Sequence, residues 1–185
     1  MLGIEVTRAS CPARSSPANR APTGTMSAAP GRPRIQATVR TAQTLAERDG
    51  HFAVRQAVFV NDQRLFRESD RDEIDDDPGT IHLVADAGGL VVGAVRIYPL
   101  GATNRWQGDR LAVLPDYRAS RVGVDLVQLA VRTAARHGGL VMEAHVQVAN
   151  VPFFESLGWQ VQGPTEIYVA ALHQPMVCDL TGPGR

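Results

Sequence analysis

Residues 106–148 constrain this chain more than any other stretch. WQGDRLAVL (106–114) reads as a strand, PDYRASR (115–121) as a polar turn, the residues from about Val122 to His137 as an apolar helix, and LVMEAHVQV (140–148) as a second strand. Two strands joined through a helix are expected to lie parallel in one sheet. The turn feeds directly into the helix, so its backbone N–H groups face outward at the positive end of the helix dipole, a geometry that collects anions. Phosphate is the expected guest. Arg121 stands where such turns usually carry glycine. Its side chain removes no N–H donor, but if the position needs φ > 0 it would cost about 1–2 kcal/mol. If the position is helical the cost vanishes, and Arg118 and Arg121 can add charge-assisted contacts to a diphosphate. Gly123 lies where the helix must come closest to the ligand.

The remaining pattern surrounds this unit with antiparallel elements. IQATVR (35–40) reads as a strand, and TLAERDGHFAVRQAVFV (44–60) has helical spacing at Phe52, Arg55, Gln56 and Phe59. An acidic loop follows. TIHLVADA (80–87) and VVGAVRIYP (91–99), joined at Gly88-Gly89, form a hairpin. A short helix capped by Asn150 leads to last strands near 159–162 and 167–172. The class is mixed α/β.

A length of 185 residues with 44% apolar content suits one domain with a buried core. No stretch approaches the apolar length of a membrane span or a secretory signal, so no membrane partner and a cytoplasmic location are expected. Cys11 and Cys178 belong to no Cys/His cluster, which suggests neither a disulfide framework nor a metal site. The basic residues number nineteen, all arginine, and balance nineteen acids. Residues 1–33 hold four of the arginines and one Glu, leaving fifteen against eighteen acids, a net of −3. Nothing there favours a nucleic-acid partner. Five of the twelve prolines also fall in 1–33, without periodicity. The expected division is a disordered extension (1–33), a folded domain (34–180) and a short tail (181–185). The extension reads as a transit peptide or as sequence ahead of a start at Met26.

Polar residues also occur where a core is expected. Alternation puts Glu143, His145 and Gln147 on one face of their strand, opposite Met142, Ala144 and Val146. Both faces of a central strand are expected to be buried, so this row needs partners. Arg96 shares a face with Tyr98, the next strand supplies Arg110 and the first helix Arg55. A charged cluster under that helix follows, with Asp70, Asp72 and Asp75 as counter-ions. The three arginines read either as structural pairs or as substrate contacts; Glu143 and His145 read either as an internal row or as a base and acceptor binder. His173 is expected to be structural, and His51, His82 and His137 to lie at the surface. DRDEIDDD lacks the central Gly and the Glu spacing of an EF-hand, so it reads as a solvated loop.

LAVLPDYRASRVGVDL resembles the acyl-CoA pyrophosphate loop of the GNAT superfamily of N-acyltransferases: Gln or Arg, two residues, Gly, one residue, then Gly or Ala. Arg118 matches the first position and Gly123 the last, while Arg121 replaces the first Gly. NVPFFESLGW (150–159) is similar to the superfamily's later motif, an Asn opening a short helix, paired aromatics, then Leu-Gly-aromatic. FAVRQAVFVNDQ, the acid run, VVGAVR and GDRLAV resemble two branches, the ElaA-like acetyltransferases and the autoinducer synthases. HQPM (173–176) resembles an ElaA-type ending, although Ala171 and Leu172 stand where those relatives tend to have Gly and Pro.

The resemblance implies a mostly antiparallel sheet of six to seven strands with helices on both faces. It implies acetyl-CoA held by Leu111, Ala112 and Val113, by Arg118, Ala119, Ser120, Arg121, Val122, Gly123 and Val124, and by Asn150, Phe153 and Phe154. An amine of a small molecule or peptide would attack directly, its proton taken by Glu143, His145 or an ordered water. Arg55, Arg96 and Arg110 would shape the acceptor side through an ion-pair network, and the resemblance admits a homodimer. Phe154 stands where many members carry a tyrosine that protonates the departing thiolate. Two alternatives are an autoinducer-type synthase using S-adenosylmethionine and a non-catalytic acyl-CoA-binding module.

Overall fold

The computed structural model describes residues 36–168 and 171–182. The expected extension (1–33), Met26 and Cys11 lie outside the described residues. In chain order the elements are β1 (Thr38–Thr41), α1 (Leu45–Arg55), a π-helix (Gln56–Asp62), a 3-10 turn (Glu73–Asp76), β2 (Ile81–Ala87), β3 (Leu90–Pro99), β4 (Arg105–Val113), α2 (Val122–Arg136), β5 (Val141–Gln147), α3 (Val151–Ser156), β6 (Gln160–Val161), β7 (Glu166–Tyr168) and β8 (Ala171–Asp179). No helix among them is long and apolar enough to cross a membrane.

The sheet runs β1-β2-β3-β4-β5-β8-β6, with β7 also paired to β8. Every pairing is antiparallel except β4 with β5, the pair joined through α2. There are eight strands because the single strand expected at 167–172 is replaced by β7 and by β8, which carries HQPM into the sheet between β5 and β6. Pro175, which has no N–H to give a ladder, sits opposite His145, and its carbonyl accepts from Gln162 N at 2.8 Å.

α1 starts at a capping box: Glu47 N donates to Thr44 Oγ1 (3.2 Å) and Thr44 N to Glu47 Oε2 (3.0 Å). The Gln43 N–H, then Arg40, hold the Glu47 carboxyl down at about 2. The helix widens after Arg55 into the π-helix, which helical periodicity alone does not reveal.

α1 and α2 pack on opposite faces of β3, and glycine sets both approaches. A Cβ on Gly50 of α1 would lie 2.6 Å from Val91 Cγ2, and one on Gly93 of β3 would lie 2.8 Å from Val122 Cγ1 of α2. The α2 face buries Leu83, Val95, Ile97, Leu111, Leu126, Met142 and Phe154 in the main apolar core. The α1 face has a much smaller cluster, Val54, Val58, Phe59, Ala94 and Ala112.

Two irregularities in β4 position the site. Ala94 pairs with Ala112 but Arg96 with Asp109, so Arg110 and Leu111 together oppose Val95, a β-bulge. Arg110 there has φ 54°, which costs about 1–2 kcal/mol for a non-glycine residue. The bulge turns Asp109 and Arg110 to the same α1 face, where strict alternation would separate them. Pairing of β4 with β5 also stops at Gln107 opposite Glu143, although both strands continue. The two strands diverge, leaving an open wedge in the middle of the sheet.

Candidate active site

Along the wedge β4 has no partner on its β5 side. Leu114 N donates to Val92 O at 3.0 Å, so Leu114 and, two residues back, Ala112 direct their backbone groups to β3. The residues between them, Val113 and Leu111, therefore turn their N–H groups to the wedge, where the Val113 carbonyl already accepts from Arg118 Nε at 3.1 Å. Of the three expected cofactor-binding residues on this strand, Ala112 instead contributes only its small side chain to the α1 face.

At the top of the wedge the chain turns through Pro115–Tyr117 into α2. Ser120 N and Oγ both donate to Tyr117 O (3.0 and 2.6 Å), and Val122 N donates to Ser120 Oγ at 3.3 Å. Ala119 is exposed on this turn. Arg121 adopts φ −81° and ψ 0°, so the missing glycine brings no backbone strain. The N–H groups of Gly123 and Val124, in the first helical turn, have no intrahelical acceptor. The two loop arginines differ. Arg121 is 73% exposed and only loosely paired with Asp125 at 3.5 Å. Arg118 is already engaged: Nε donates to Val113 O at 3.1 Å and Nη2 to Asp62 Oδ2 at 2.5 Å. It ties the end of the π-helix to the end of β4.

The α1 face carries the expected charged cluster, and its three arginines are fully buried. Arg55 binds Asp75 with both terminal nitrogens (2.6 and 2.9 Å) and Asp70 through Nε (2.7 Å). Arg96 binds Asp109 through Nε (2.8 Å) and Nη2 (2.7 Å) and reaches Asp72 (2.5 Å) and Asp75 (2.9 Å). Arg110 donates to Asp70 O (2.9 Å) and Asp72 Oδ2 (2.8 Å). Burial opposes the charged forms of Arg55 and Arg96, but the hydrogen bonds and charges of Asp75, Asp70 and Asp109 outweigh it and raise both pKa values. Burial likewise opposes ionised Asp72 and Asp75, and their arginine partners overcome it, lowering both. For Arg110 burial prevails, helped by Arg96 and Arg55, and lowers its pKa.

Asp109 is the acid that sequence alternation misses. An Asp-Arg pair inside an otherwise apolar strand is the signal for it, because neither charge can be buried alone. The acid run is likewise no solvated loop: Asp70 and Asp75 are at most 2% exposed, because the run supplies the counter-ions. His51 and His82 are buried rather than superficial. His82 Nδ1 lies 3.3 Å from His51 Nε2, and His51 Nδ1 3.3 Å from Leu83 O, so each ring finds partners inside. Burial holds both below the usual histidine value. His137 is exposed, as expected.

On β5 the expected alternation holds, with Met142, Ala144 and Val146 buried. The polar row is half-buried, because the wedge leaves its face partly uncovered. Glu143 pairs with Arg105. His145 Nε2 lies 2.9 Å from Glu166 Oε1, and its ring stacks on Tyr168 at 4.8 Å. Nearby, His173 is buried; burial lowers its pKa, and its Nδ1 is 3.0 Å from Ala171 O.

Asn150 occupies the N-cap position of α3 but its side chain makes no capping bond, and its buried Nδ2 has no hydrogen-bond partner among the described residues. Phe154 is fully buried between Phe153 (5.3 Å) and Trp159 (5.3 Å), both edge to face, while Phe153 is partly exposed. No group of His, Cys, Asp or Glu among the described residues is arranged to hold a metal ion.

The acetyltransferase (GNAT) family model matches residues 45–159. The chain is 30% identical over 129 residues to YjcF of Bacillus subtilis (strain 168), described as an uncharacterized N-acetyltransferase; the match spans 69% of this chain and 89% of YjcF. Among solved structures, Escherichia coli ElaA aligns with a TM-score of 0.69 at 18% identity, over 77% of this chain and 99% of ElaA. The CoA-dependent acyl-homoserine lactone synthase BjaI, solved with SAM and isopentyl-CoA, aligns with a TM-score of 0.66 at 20% identity, over 78% and 84%. These structural likenesses establish the fold.

Proposed function

The chain belongs to the acetyltransferase (GNAT) family of transferases, and from that premise we propose that it moves an acetyl group from acetyl-CoA to an amine of a small molecule or peptide. The observation that carries this reading is the open edge of β4, which leads directly to the first turn of α2. Backbone groups left without a strand partner, an orphaned Asn150 Nδ2 and free N–H groups at a helix start together suit a long, amide-containing ligand that ends in a diphosphate.

When bound, acetyl-CoA supplies a thioester carbonyl as the acyl donor. The N–H of Leu111 or Val113 polarises that carbonyl from the wedge. Val122, Gly123 and Val124 give backbone donors to the diphosphate and Arg121 gives charge, while Arg118 adds its charge beside them and holds the loop through Val113 and Asp62. Asn150 and Phe153 line the β5 side. His145 is the better-placed base. Its Nε2–H points to Glu166, leaving the lone pair on Nδ1 for the amine's proton, whereas the Glu143 carboxylate is occupied by Arg105. Arg55, Arg96 and Arg110 act on the acceptor side through the shape they enforce. Most of the rate comes from holding amine and thioester together.

The test is release of free CoA from acetyl-CoA with a panel of polyamines, amino acids and peptides, with S-adenosylmethionine included. Release with an amine supports the proposal, and release with S-adenosylmethionine alone moves the chain to the synthase type represented by BjaI. Tight binding of acetyl-CoA without release under any acceptor supports a sensor instead. Replacing Arg118 and Arg121 with Ala is expected to weaken CoA binding and its salt dependence. Unchanged calorimetric affinity in that double variant would remove both from the cofactor site.

A further inference from the structure

Beyond the π-helix lies an open cleft of about 480 Å³ lined by Val60, Asn61, Arg64, Phe66 and Arg67. Neither arginine has an ion pair or hydrogen bond among the described residues, and no acid lines the cleft. Both arginines are solvent-exposed, so their charges are satisfied by water and both guanidinium groups remain open to a ligand in the cleft.

The backbone fixes the position of Arg64. Gln63 N donates to Val58 O at 2.9 Å, Leu65 N to Phe59 O at 2.9 Å and Phe66 N to Phe59 O at 3.4 Å. Arg64, inside this helix stop, has φ 55°. Glycine takes such a left-handed position without strain, whereas arginine is strained there. The side chain therefore projects from a fixed, strained base, an arrangement that clusters at functional sites. Gln63 beside it has both side-chain amide atoms buried without a partner among the described residues.

The cleft adjoins the α1 face of β4. Phe66 packs against the cluster containing Ala112 of β4, and the Arg110 guanidinium at the bulge lies 5.5 Å from the Phe66 ring. Asp62, next to Asn61, is the residue tied to Arg118 of the loop. Through these contacts the cleft is connected to the bulge of β4 and to the loop before α2.

We infer that Arg64 and Arg67 bind an anionic group, a carboxylate or phosphate, on a ligand of the wedge. Two arginine forks beside an amide and a flat ring match the planar, multiply accepting oxygens of such groups. The anion comes either from an acceptor carrying a carboxylate besides its amine or from the ribose phosphate of CoA. The location of the reacting end rests on the acyltransferase reading; anion binding itself does not.

The experiment follows the arginine Nε–Hε NMR signals of the full, isotope-labelled chain without any turnover, so a failure of acetyl transfer would leave its result intact. Inorganic phosphate is expected to shift the Arg64 and Arg67 signals saturably, and Arg67→Gln to weaken that affinity at least about tenfold. CoA shifting them where dephospho-CoA does not identifies the cofactor as the source. An amino acid shifting them where its amide does not identifies the acceptor. Arg64→Gly, which relieves the left-handed strain, is expected to lose the affinity while its melting temperature holds or rises; a purely structural arginine would show the reverse. Response to phosphate alone marks an adventitious ion only, and no response to phosphate, CoA or amino acids overturns the inference outright.

Discussion

The α2 face of the sheet is closed by Leu83, Val95, Ile97 and Leu126, whereas the α1 face of the same strands turns Arg96, Asp109 and Arg110 inward against Arg55 and three aspartates. Apolar contacts are non-directional, and they suffice where a helix presents a continuous stripe. The α1 face must also hold the segment from Asp70 to Asp76, which offers only Ile74 as an apolar anchor. Forked arginine–carboxylate bonds fix that segment by geometry instead. One face secures the fold, and the other sets the position of a loop beside the site.

Breaking the ionic face is expected to have the largest effect. Arg96→Met leaves four aspartates facing two arginines and should cost about 3–5 kcal/mol in chemical denaturation. The double variant Arg96→Met, Asp109→Leu should recover much of it, since well-packed apolar replacements of a buried pair are often tolerated. Wild-type stability in the single variant together with lost activity would show that Arg96 serves the substrate directly.

On the apolar face, Leu126→Ala should cost about 2–4 kcal/mol by removing a fully buried side chain. It should leave the salt dependence of stability unchanged, and a changed salt dependence would show that the two faces are not independent.

A smaller and graded effect separates the faces by pH. His51 and His82 on the α1 face titrate below the ordinary histidine value of 6.5, so the unfolded chain takes up protons first as pH falls. Their contribution is complete above 6.5 and declines below it, by at most about 1.4 kcal/mol per pH unit for each histidine. Depressed Asp72 and Asp75 add a second loss below 3.8. Melting temperatures measured from pH 7.5 down to 5 should fall for the wild type and fall less for His51→Gln; equal slopes would exclude His51 as the source.

The least effect is expected at Phe154. A thiol leaving group with a pKa near 8.5 forgoes only about 1.4 kcal/mol when expelled as thiolate near neutral pH, so Phe154→Tyr should change the single-turnover rate less than about tenfold. A hundredfold gain would mark the native protein as a poor catalyst and favour the sensor reading.

Much of this was legible beforehand where one period governs a segment. The change from alternation to helical spacing and back placed β4, α2 and β5, and polar residues on core-facing positions announced the arginine–aspartate cluster. Legibility failed where local rules are broken. Pro175 and the polar residues beside it conceal β8, one extra residue per turn conceals the π-helix, and the bulge at Arg110 defeats the alternation that would have paired Asp109. His51 and His82 carry no pattern of their own, because each neutral imidazole can be buried by donating to a backbone carbonyl, Leu83 O and Asp75 O, with Arg55 donating to His51 Nε2. Arg118 matches the phosphate-loop pattern, yet sequence says nothing of Asp62, which reaches it from the end of another helix.

The divergence of β4 from β5 makes the sheet two plates joined along a seam of three residue pairs, Arg105–Val141, Trp106–Met142 and Gln107–Glu143. A ligand lying along β4 then becomes a removable rung, and the empty protein and the loaded one are mechanically different objects. Loading should slow deuterium uptake at the amides of Leu111 and Val113, which face the gap, and leave Ala112, already bonded across to β3, unchanged. Product departure, on this view, returns the middle of the sheet to water.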